Sequence, residues 1–261
     1  MRIAVCVKYV PNIHTPRSFT DGHVTRTAED GALNDLDMYA VEAALALVEQ
    51  HGGQVVALTV GPDDAVVAVR RALQMGAAAG VHVSDPAIAG SDVFGTATVL
   101  AAAIARLNAE APLDLVLTGL ASLDGLTSLL PTALAATLEW PQLTLASSLA
   151  VDGGTARIER HLAGAHEVVE ASMPAVVSVT DEANHPRFPN FKMIVAARDI
   201  EVPRWTLADL GVDPATVGGA AARTRVVDAS PRPERANREL IQDAGDAGEL
   251  LASFLVERGF A

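Results

Sequence analysis

Short unbroken apolar runs alternate with segments of helical period through the first 140 residues. Residues 3–7 form a β-type run that predicts a first strand. Asn34, Asp35 and Asp37 then precede Leu36, Ala40, Ala43, Ala44 and Leu47, which share one helical face. Asx residues suit the cap of such a helix, and Gly52-Gly53 ends it. Residues 54–60 predict a second strand, and Val66, Val69, Ala72, Leu73 and Met75 a second helix. Residues 81–83 read as a third strand, 93–107 as a helix started by Ser91 and Asp92, and 113–118 as a fourth strand. After a loop over 119–130, Pro131 opens a helix to about residue 138; proline suits a first turn, whose N–H groups lack helical partners.

This alternation predicts an α/β fold with a doubly wound, mostly parallel sheet. Such strands are buried on both faces and read as continuous apolar runs. Beyond Trp140-Pro141, residues 144–151, 157–161 and 168–173 predict a β-hairpin excursion, with Asp152-Gly153-Gly154 as a tight turn. Residues 175–179 are apolar enough to return to the main sheet. From Pro203 the chain is interrupted by Pro, Gly and Arg, and Ser230-Pro-Arg-Pro233 reads as a linker. A last amphipathic helix carries Leu240, Ile241, Leu250, Leu251, Phe254 and Leu255, an apolar stripe that needs a surface to pack on. The expected division is an α/β domain over 1–202 and a C-terminal arm over 203–261.

Half of the 261 residues are hydrophobic but only 4% aromatic, so the core is aliphatic. The formal net charge is −13 with no basic block, which argues against nucleic acid as a partner. The single cysteine excludes an intramolecular disulfide framework and fits a reducing cytosol, so the expected location is cytoplasmic. The N-terminal apolar run is too short for a signal segment, and no run approaches membrane-spanning length.

Ligands of doubly wound sheets sit beyond the strands' carboxyl ends. Three such ends attract notice: Cys6-Val7-Lys8, Val60-Gly61, and the loop from Thr118 to Pro131. That loop leads into a helix N-terminus, which favours phosphate, and Thr127 and Ser128 add hydroxyls. Cys6 and Lys8 share a side of their strand, which permits an activated thiol, although a cysteine in an apolar strand is commonly core. There is no His-x-x-x-His pair, G-x-S-x-G elbow, G-x-G-x-x-G or Walker sequence, and hence no catalytic constellation. Residues 173–202 join the apolar strand to a loop in which Pro186 and Pro189 bracket Arg187 and Phe188, with Phe191 close behind. The prolines stiffen the loop, and Arg and aromatics are the types that anchor interfaces. The competing reading is a rigid connection whose phenylalanines fill core.

In order and spacing, these residues resemble the β subunit of electron-transfer flavoproteins. The marks are Val5, Val7, Lys8, Val10 and Pro11; Asn34 with Tyr39-Ala-Val-Glu-Ala-Ala44; Gly61-Pro62; and Arg71-Ala-Leu-Gln-Met-Gly-Ala77 with Val81-His82. They continue with Asp124-Gly125, Pro131, Trp140-Pro-Gln142, Glu159-Arg160, Gly164, Glu167, Met173-Pro-Ala-Val-Val177 and Asn184-x-Pro-Arg-Phe-Pro189, so the likeness spans residues 1 to about 217. It implies an adenine-nucleotide-binding, HUP-like fold in the small subunit of an αβ heterodimer, a carrier and not itself an enzyme. An AMP would touch Cys6, Val7, Lys8, Asn34, Val60, Gly119, Asp124, Thr127, Ser128, Leu129 and Leu130. Ile13 and Leu36 would lie near an FAD held mainly by the α subunit. Pro186, Arg187, Phe188, Phe191, Lys192 and Met193, within 184–198, would dock partners, and the arm from 203 would pack on α. Electrons would come from flavin dehydrogenases of the acyl-CoA dehydrogenase type, as in fatty acid β-oxidation, and leave to a quinone oxidoreductase, without direct membrane insertion.

This chain departs from the family pattern at Leu120-Ala121, where polar residues are usual, and at Ala163, where an acid is usual. Its phosphate turn is Thr127-Ser-Leu-Leu130, which leaves the phosphate chiefly to backbone N–H groups, and the docking loop ends Ala196-Ala-Arg198-Asp199 in place of a lysine run. Fewer positive charges weaken steering toward an acidic partner, which suggests a specialised donor. Three alternatives stand beside this reading. A universal-stress-protein type module needs a glycine pattern that Gly119-Leu-Ala-Ser122 lacks, and an ATP-cleaving enzyme needs S-G-G-x-D where this chain has Lys8-Tyr-Val-Pro11. Within the family, a second FAD in place of AMP is the remaining variant.

Overall fold

In the computed structural model, which describes residues 1–16, 18–20, 23–25, 27, 29–230, 233, 240 and 242–260, seven strands form one sheet. The chain runs β1 (Arg2–Cys6), β2 (Tyr9–Pro11), β3 (Phe19–Thr20), β4 (His23–Val24), β5 (Gly31–Leu33), α1 (Asp35–His51), β6 (Gln54–Val60), α2 (Val66–Met75), β7 (Ala79–Val83), α3 (Val93–Glu110), β8 (Leu115–Gly119) and α4 (Leu130–Leu138). It continues through β9 (Gln142–Ala146), β10 (Ser148–Asp152), β11 (Thr155–Leu162), β12 (Ala165–Ser172), β13 (Ala175–Val179), α5 (Phe191–Ala196), β14 (Arg204–Trp205), α6 (Leu207–Leu210), α7 (Gly218–Ala221) and α8 (Ala247–Glu257). The main sheet has the order β14-β7-β6-β1-β8-β13-β9, and every pairing in it is parallel. The doubly wound fold read from the sequence is therefore present.

Alternation along the central strands sorts side chains into two layers. Ile3, Val5, Val55, Ala57, Leu115, Leu117, Val177 and Val179 pack with Val41, Leu45, Val69 and Leu73 of α1 and α2. Ala4, Cys6, Val56, Leu58, Val116 and Val176 pack on the other face with Leu100, Ile104 and Leu134 of α3 and α4. Asp92 caps α3 as expected, accepting from the N–H groups of Phe94 and Gly95 at 3.0 Å. Asn34 also sits at a cap position, but its side chain makes no capping bond; it is spent elsewhere.

The excursion differs from expectation at its start. Residues 144–151 do not form one hairpin strand: β9 is the outer strand of the main sheet, and β10 opens a separate antiparallel sheet β10-β11-β12. Near the end of β9, Leu145 takes a left-handed φ of 64° while its N–H donates to Ser178 Oγ at 2.9 Å. Ser147 donates from both N and Oγ to the Glu159 carbonyl, at 2.8 and 3.0 Å, and this turns the chain out of the sheet. The Gly153-Gly154 turn is as read, with φ of 51° and 88°.

Beyond Val202 the chain returns to the sheet as β14, in register with His82 and Val83 of β7. Trp205 is buried there under the Arg106 guanidinium, 4.3 Å from the ring centroid. Contacts divide the chain into Met1–Ala229 and Ser230–Ala261. Within the second, α8 exposes Leu250, Leu251 and Val256. Ile241 of the expected terminal stripe, and Pro231 and Arg232 of the expected linker, lie outside the described residues.

Candidate functional site

β1 lies between β6 and β8, so the winding reverses at its flanks and a crevice opens beyond the carboxyl ends of these strands. Asn34, fully buried, is the clip of this crevice. Its N–H donates to the Lys8 carbonyl at 2.9 Å, its Nδ2 donates to the Ala121 carbonyl at 2.9 Å, and its Oδ1 accepts from Leu123 N–H at 3.0 Å. One residue, by its backbone N–H and its side-chain amide together, thereby fixes the loop after β8 to the end of β1.

Asp37, one helical turn on, is buried too and accepts from Lys8 N–H at 2.8 Å. Burial pushes its carboxyl up to about 7, against the opposing pull of donors from Asn34, Lys8 and Gly119 and of the Lys8 charge. Lys8 reaches across the crevice: its Nζ lies 2.8 Å from Asp124 Oδ1 and 3.2 Å from Ser122 Oγ. The Asp124 side chain is inaccessible while that of Lys8 is 43% exposed, so the ammonium neutralises a buried carboxylate and still faces solvent. Cys6 is core, and burial followed by the nearby Asp37 charge pushes its thiol up to about 12. The activated-thiol alternative fails on that environment.

Gly119 ends β8 where a Cβ would lie 2.6 Å from both Asp37 Oδ1 and the Leu36 carbonyl oxygen. Past it, the N–H groups of Gly125 and Leu126 donate to the Ser122 carbonyl at 3.2 and 2.8 Å. Leu126 and Ser128 adopt left-handed φ of 48° and 52°, and Leu129, right-handed, stands before α4 without a side-chain cap. A left-handed residue followed by a right-handed one turns successive N–H groups toward a common point, the geometry of an anion nest, and the helix dipole adds to it. Residues 125–129 are exposed. The residues present therefore fit a phosphate through backbone donors. Thr127, expected as a hydroxyl donor, spends its proton on the Gly125 carbonyl at 3.4 Å, which leaves Ser128 as the hydroxyl of the turn.

The loop after β13 pairs its arginine with helix α1 and shows its aromatics. Arg187 is turned onto α1, with Nε 2.8 Å from Glu42 Oε2 and Nη1 2.5 Å from Glu49 Oε1. Phe188 and Phe191 are 89% and 80% exposed, so the reading in which they fill core is overturned. Pro186 and Met193 are half-buried and Lys192 is exposed.

Residues 21–210 match the family model described as electron transfer flavoprotein domain. Over 261 residues the chain is 40% identical to the electron transfer flavoprotein subunit beta of Mycobacterium leprae, with 97% of each chain covered. The chain belongs to the electron transfer flavoprotein beta-subunit family. It is also 31% identical over 249 residues to protein FixA of Azotobacter vinelandii, covering 93% of this chain and 88% of that one. Identity to the caffeyl-CoA reductase-Etf complex subunit CarD of Acetobacterium woodii is 30% over 243 residues, covering 92% of each.

In this beta-type subunit, Cys6, Val7, Lys8, Val60 and Gly119 lie at the carboxyl ends of adjacent strands. Asn34 and Asp124 tie the loop after β8 to them, Thr127 to Leu129 follow in that loop's exposed turn, and Leu130 opens α4. Ile13 and Leu36 are less closely grouped. Ile13 lines a hollow of about 120 Å³ with Val10, Pro11, Leu33 and Asp35, and Leu36 is not part of that lining. A larger groove of about 390 Å³, lined by Leu33, Met38, Val67, Arg71 and Gln74 among others, was not foreseen. Sequence reading also passed over Asp37 as a site residue, and over Glu42 and Glu49. The spacing of those two glutamates, seven residues and so about two turns of one face, was the available signal. Among the described residues no helix is long and apolar enough to cross a membrane.

Proposed function

We propose that this chain is the nucleotide-holding and partner-docking subunit of an αβ electron carrier of the cytoplasm. It receives electrons from a flavin dehydrogenase of the acyl-CoA dehydrogenase type and passes them to a quinone oxidoreductase. The observation that carries the reading is the crevice at the reversal of winding, where Asn34, Asp37 and Lys8 fasten a loop whose backbone donors open outward. The N–H groups of Thr127 to Leu130 hold the AMP phosphate, with Ser128 Oγ beside them and the half-exposed Lys8 ammonium supplying positive potential at the rim. Cys6, Val7, Val60 and Gly119 form the floor, and Asp124 acts through Lys8. Ile13, 47% exposed, and Leu36 offer apolar contact to the edge of the flavin. Bound FAD, held mainly by the α subunit, supplies the reversible electron-accepting chemistry. Phe188, Phe191 and Lys192 meet the partner. Of the arm expected from residue 203, Trp205, Leu207 and Val217 pack in this chain's own core, and the segment from residue 230 packs on α, giving the exposed apolar face of α8 a surface to cover it.

The test is co-expression with an α subunit from the same genome, followed by the visible spectrum of the purified pair, mass-spectrometric identification of released nucleotide, and reduction by acyl-CoA dehydrogenases. A yellow heterodimer carrying one AMP and accepting electrons is expected. A colourless pair without AMP, or no pair at all, overturns the proposal.

A further inference from the structure

Within the docking loop, the side chain whose type most suggests a partner contact is committed elsewhere. The Arg187 backbone N–H and Nε both donate to Glu42 Oε2, at 3.0 and 2.8 Å, and Nη2 donates to Glu42 Oε1 at 2.9 Å. Nη1 donates to Glu49 Oε1 at 2.5 Å and Nη2 to Glu49 Oε2 at 3.0 Å. A guanidinium has five N–H donors, and two carboxylates take four of them here. The Glu49 carboxyl is held below its usual range by Arg187, while the Arg187 guanidinium is held above its own by Glu49 and then Glu42. Glu42 is only 12% exposed and Arg187 29%, so that arm is a half-buried clamp rather than a loose surface pair, and Glu49, 59% exposed, closes it from the surface.

The rest of the segment is fastened in the same sense. Asn184 Nδ2 donates to the Tyr39 carbonyl of α1 at 2.9 Å, and Asn190 caps α5 by accepting from Met193 N–H at 3.0 Å. Arg70 of α2 donates to the carbonyls of Ala197 and Ile200 at 3.2 and 2.5 Å. Residues 184–200 are thus tied at one end to α1 and at the other to α2, with Phe188 and Phe191 standing out between the ties.

We infer that Arg187 is a positioning residue: Glu42 and Glu49 hold it, and through it they set where Phe188 and Phe191 present themselves to the electron donor. The inference rests on the docking role proposed above for this loop. Pre-fastening removes ordering cost at the moment of docking, so it acts on the encounter and not on the transfer of electrons that follows. The positive charge of Arg187 is already neutralised, which leaves the exposed Lys192 and Arg198 as the cations of the segment that can meet a partner.

The experiment uses the αβ heterodimer with R187Q, the pair E42Q/E49Q, the triple variant, and R187K. Two quantities are read: amide hydrogen exchange of residues 184–198, and kcat and KM for reduction by the acyl-CoA dehydrogenase that reduces the unmodified heterodimer. R187Q and E42Q/E49Q are expected to speed loop exchange alike and to raise KM about tenfold with kcat unchanged, as loss of an ordering contribution predicts. The triple variant is expected to be no worse than either, because the parts act as one unit. R187K recovers only part of the effect, since an ammonium cannot bridge both carboxylates bidentately. Exchange in β1 and β8 stays unchanged, which separates loop release from general unfolding. If E42Q/E49Q leaves exchange and KM at their original values while R187Q raises KM, Arg187 touches the partner directly and the inference is overturned. F188A/F191A tests the docking role separately. Unchanged KM there removes that role, and the exchange data, which need no donor, still decide whether the clamp orders the loop.

Discussion

Gly119→Ala concentrates the argument for the crevice into one methyl group. The added Cβ would stand 2.6 Å from the Leu36 carbonyl oxygen, 2.7 Å from its carbon and 2.6 Å from Asp37 Oδ1, against the 3.0 Å that real Cβ atoms respect. Two of those atoms are backbone of the first turn of α1, and the third belongs to a carboxylate fixed by Lys8 N–H. No flexible side-chain end can swing aside, so the start of α1 must shift from the end of β8. Overpacking of this kind costs about 1–3 kcal/mol, and the backbone contacts place this case at about 2–3. At about 2–4 °C per kcal/mol for a unit of this size, Tm of the heterodimer falls by about 4–12 °C in scanning calorimetry. AMP content falls with it, because the same shift drags Asn34 and the loop it holds. Gly125→Ala is the control: its Cβ meets only Ser122 Oγ and Thr127 Oγ1, at ordinary distances of 3.4 and 3.6 Å, and it should stay within about 0.5 kcal/mol. If the two variants are equally harmful, or G119A is indistinguishable from the unmodified protein, close approach is not what holds the crevice.

The other expected outcomes are these. Asp37 ionises near pH 7 in the folded chain against an ordinary value of 3.8; the folded state binds the extra proton in between, so stability falls as pH rises from about 4 to about 7, by on the order of 4 kcal/mol. D37N removes that slope in urea titrations run across the window, and parallel slopes for the two proteins would refute it. N34A strands the Ala121 carbonyl and the Leu123 N–H, costs about 2 kcal/mol or more, and raises hydrogen exchange over 121–123; unchanged exchange there would show that the clip is dispensable. Leu126, 67% exposed and left-handed at a φ of 48°, is strained by its Cβ. L126N should therefore raise Tm by about 1–4 °C, and a lowered Tm would mean that the leucine packs against something in the complex.

How far the chain was legible beforehand follows from where each determinant lies. Strands β1, β6, β8 and β13 were readable because burial on both faces writes itself as an unbroken apolar run. Helices α1 to α4 were readable because each buries one stripe. The change of sheet at Ser147 was not, since alternation of period two continues through Leu145 while the cause, Ser178 Oγ, lies 33 residues away. A two-residue strand such as β14 has no period to detect. The same division runs through the site. The loop from Thr118 to Pro131, with the hydroxyls of Thr127 and Ser128, was singled out from local chemistry, whereas Gly119, Leu129 and Leu130 entered only through the family resemblance. Asn34 was recognised as polar punctuation and assigned to a cap, because its true partners stand 87 and 89 residues along. Arg187 was read as displayed for the same reason. Two bracketing prolines describe a stiff loop, but whether its arginine faces outward depends on Glu42 and Glu49, 145 and 138 residues earlier. Proline stiffness and side-chain direction are independent quantities, and only the first is a local property. Polar side chains with long reach are therefore where sequence reading fails first, and in this chain they are the ones that fasten the crevice and the loop after β13 to the same helix.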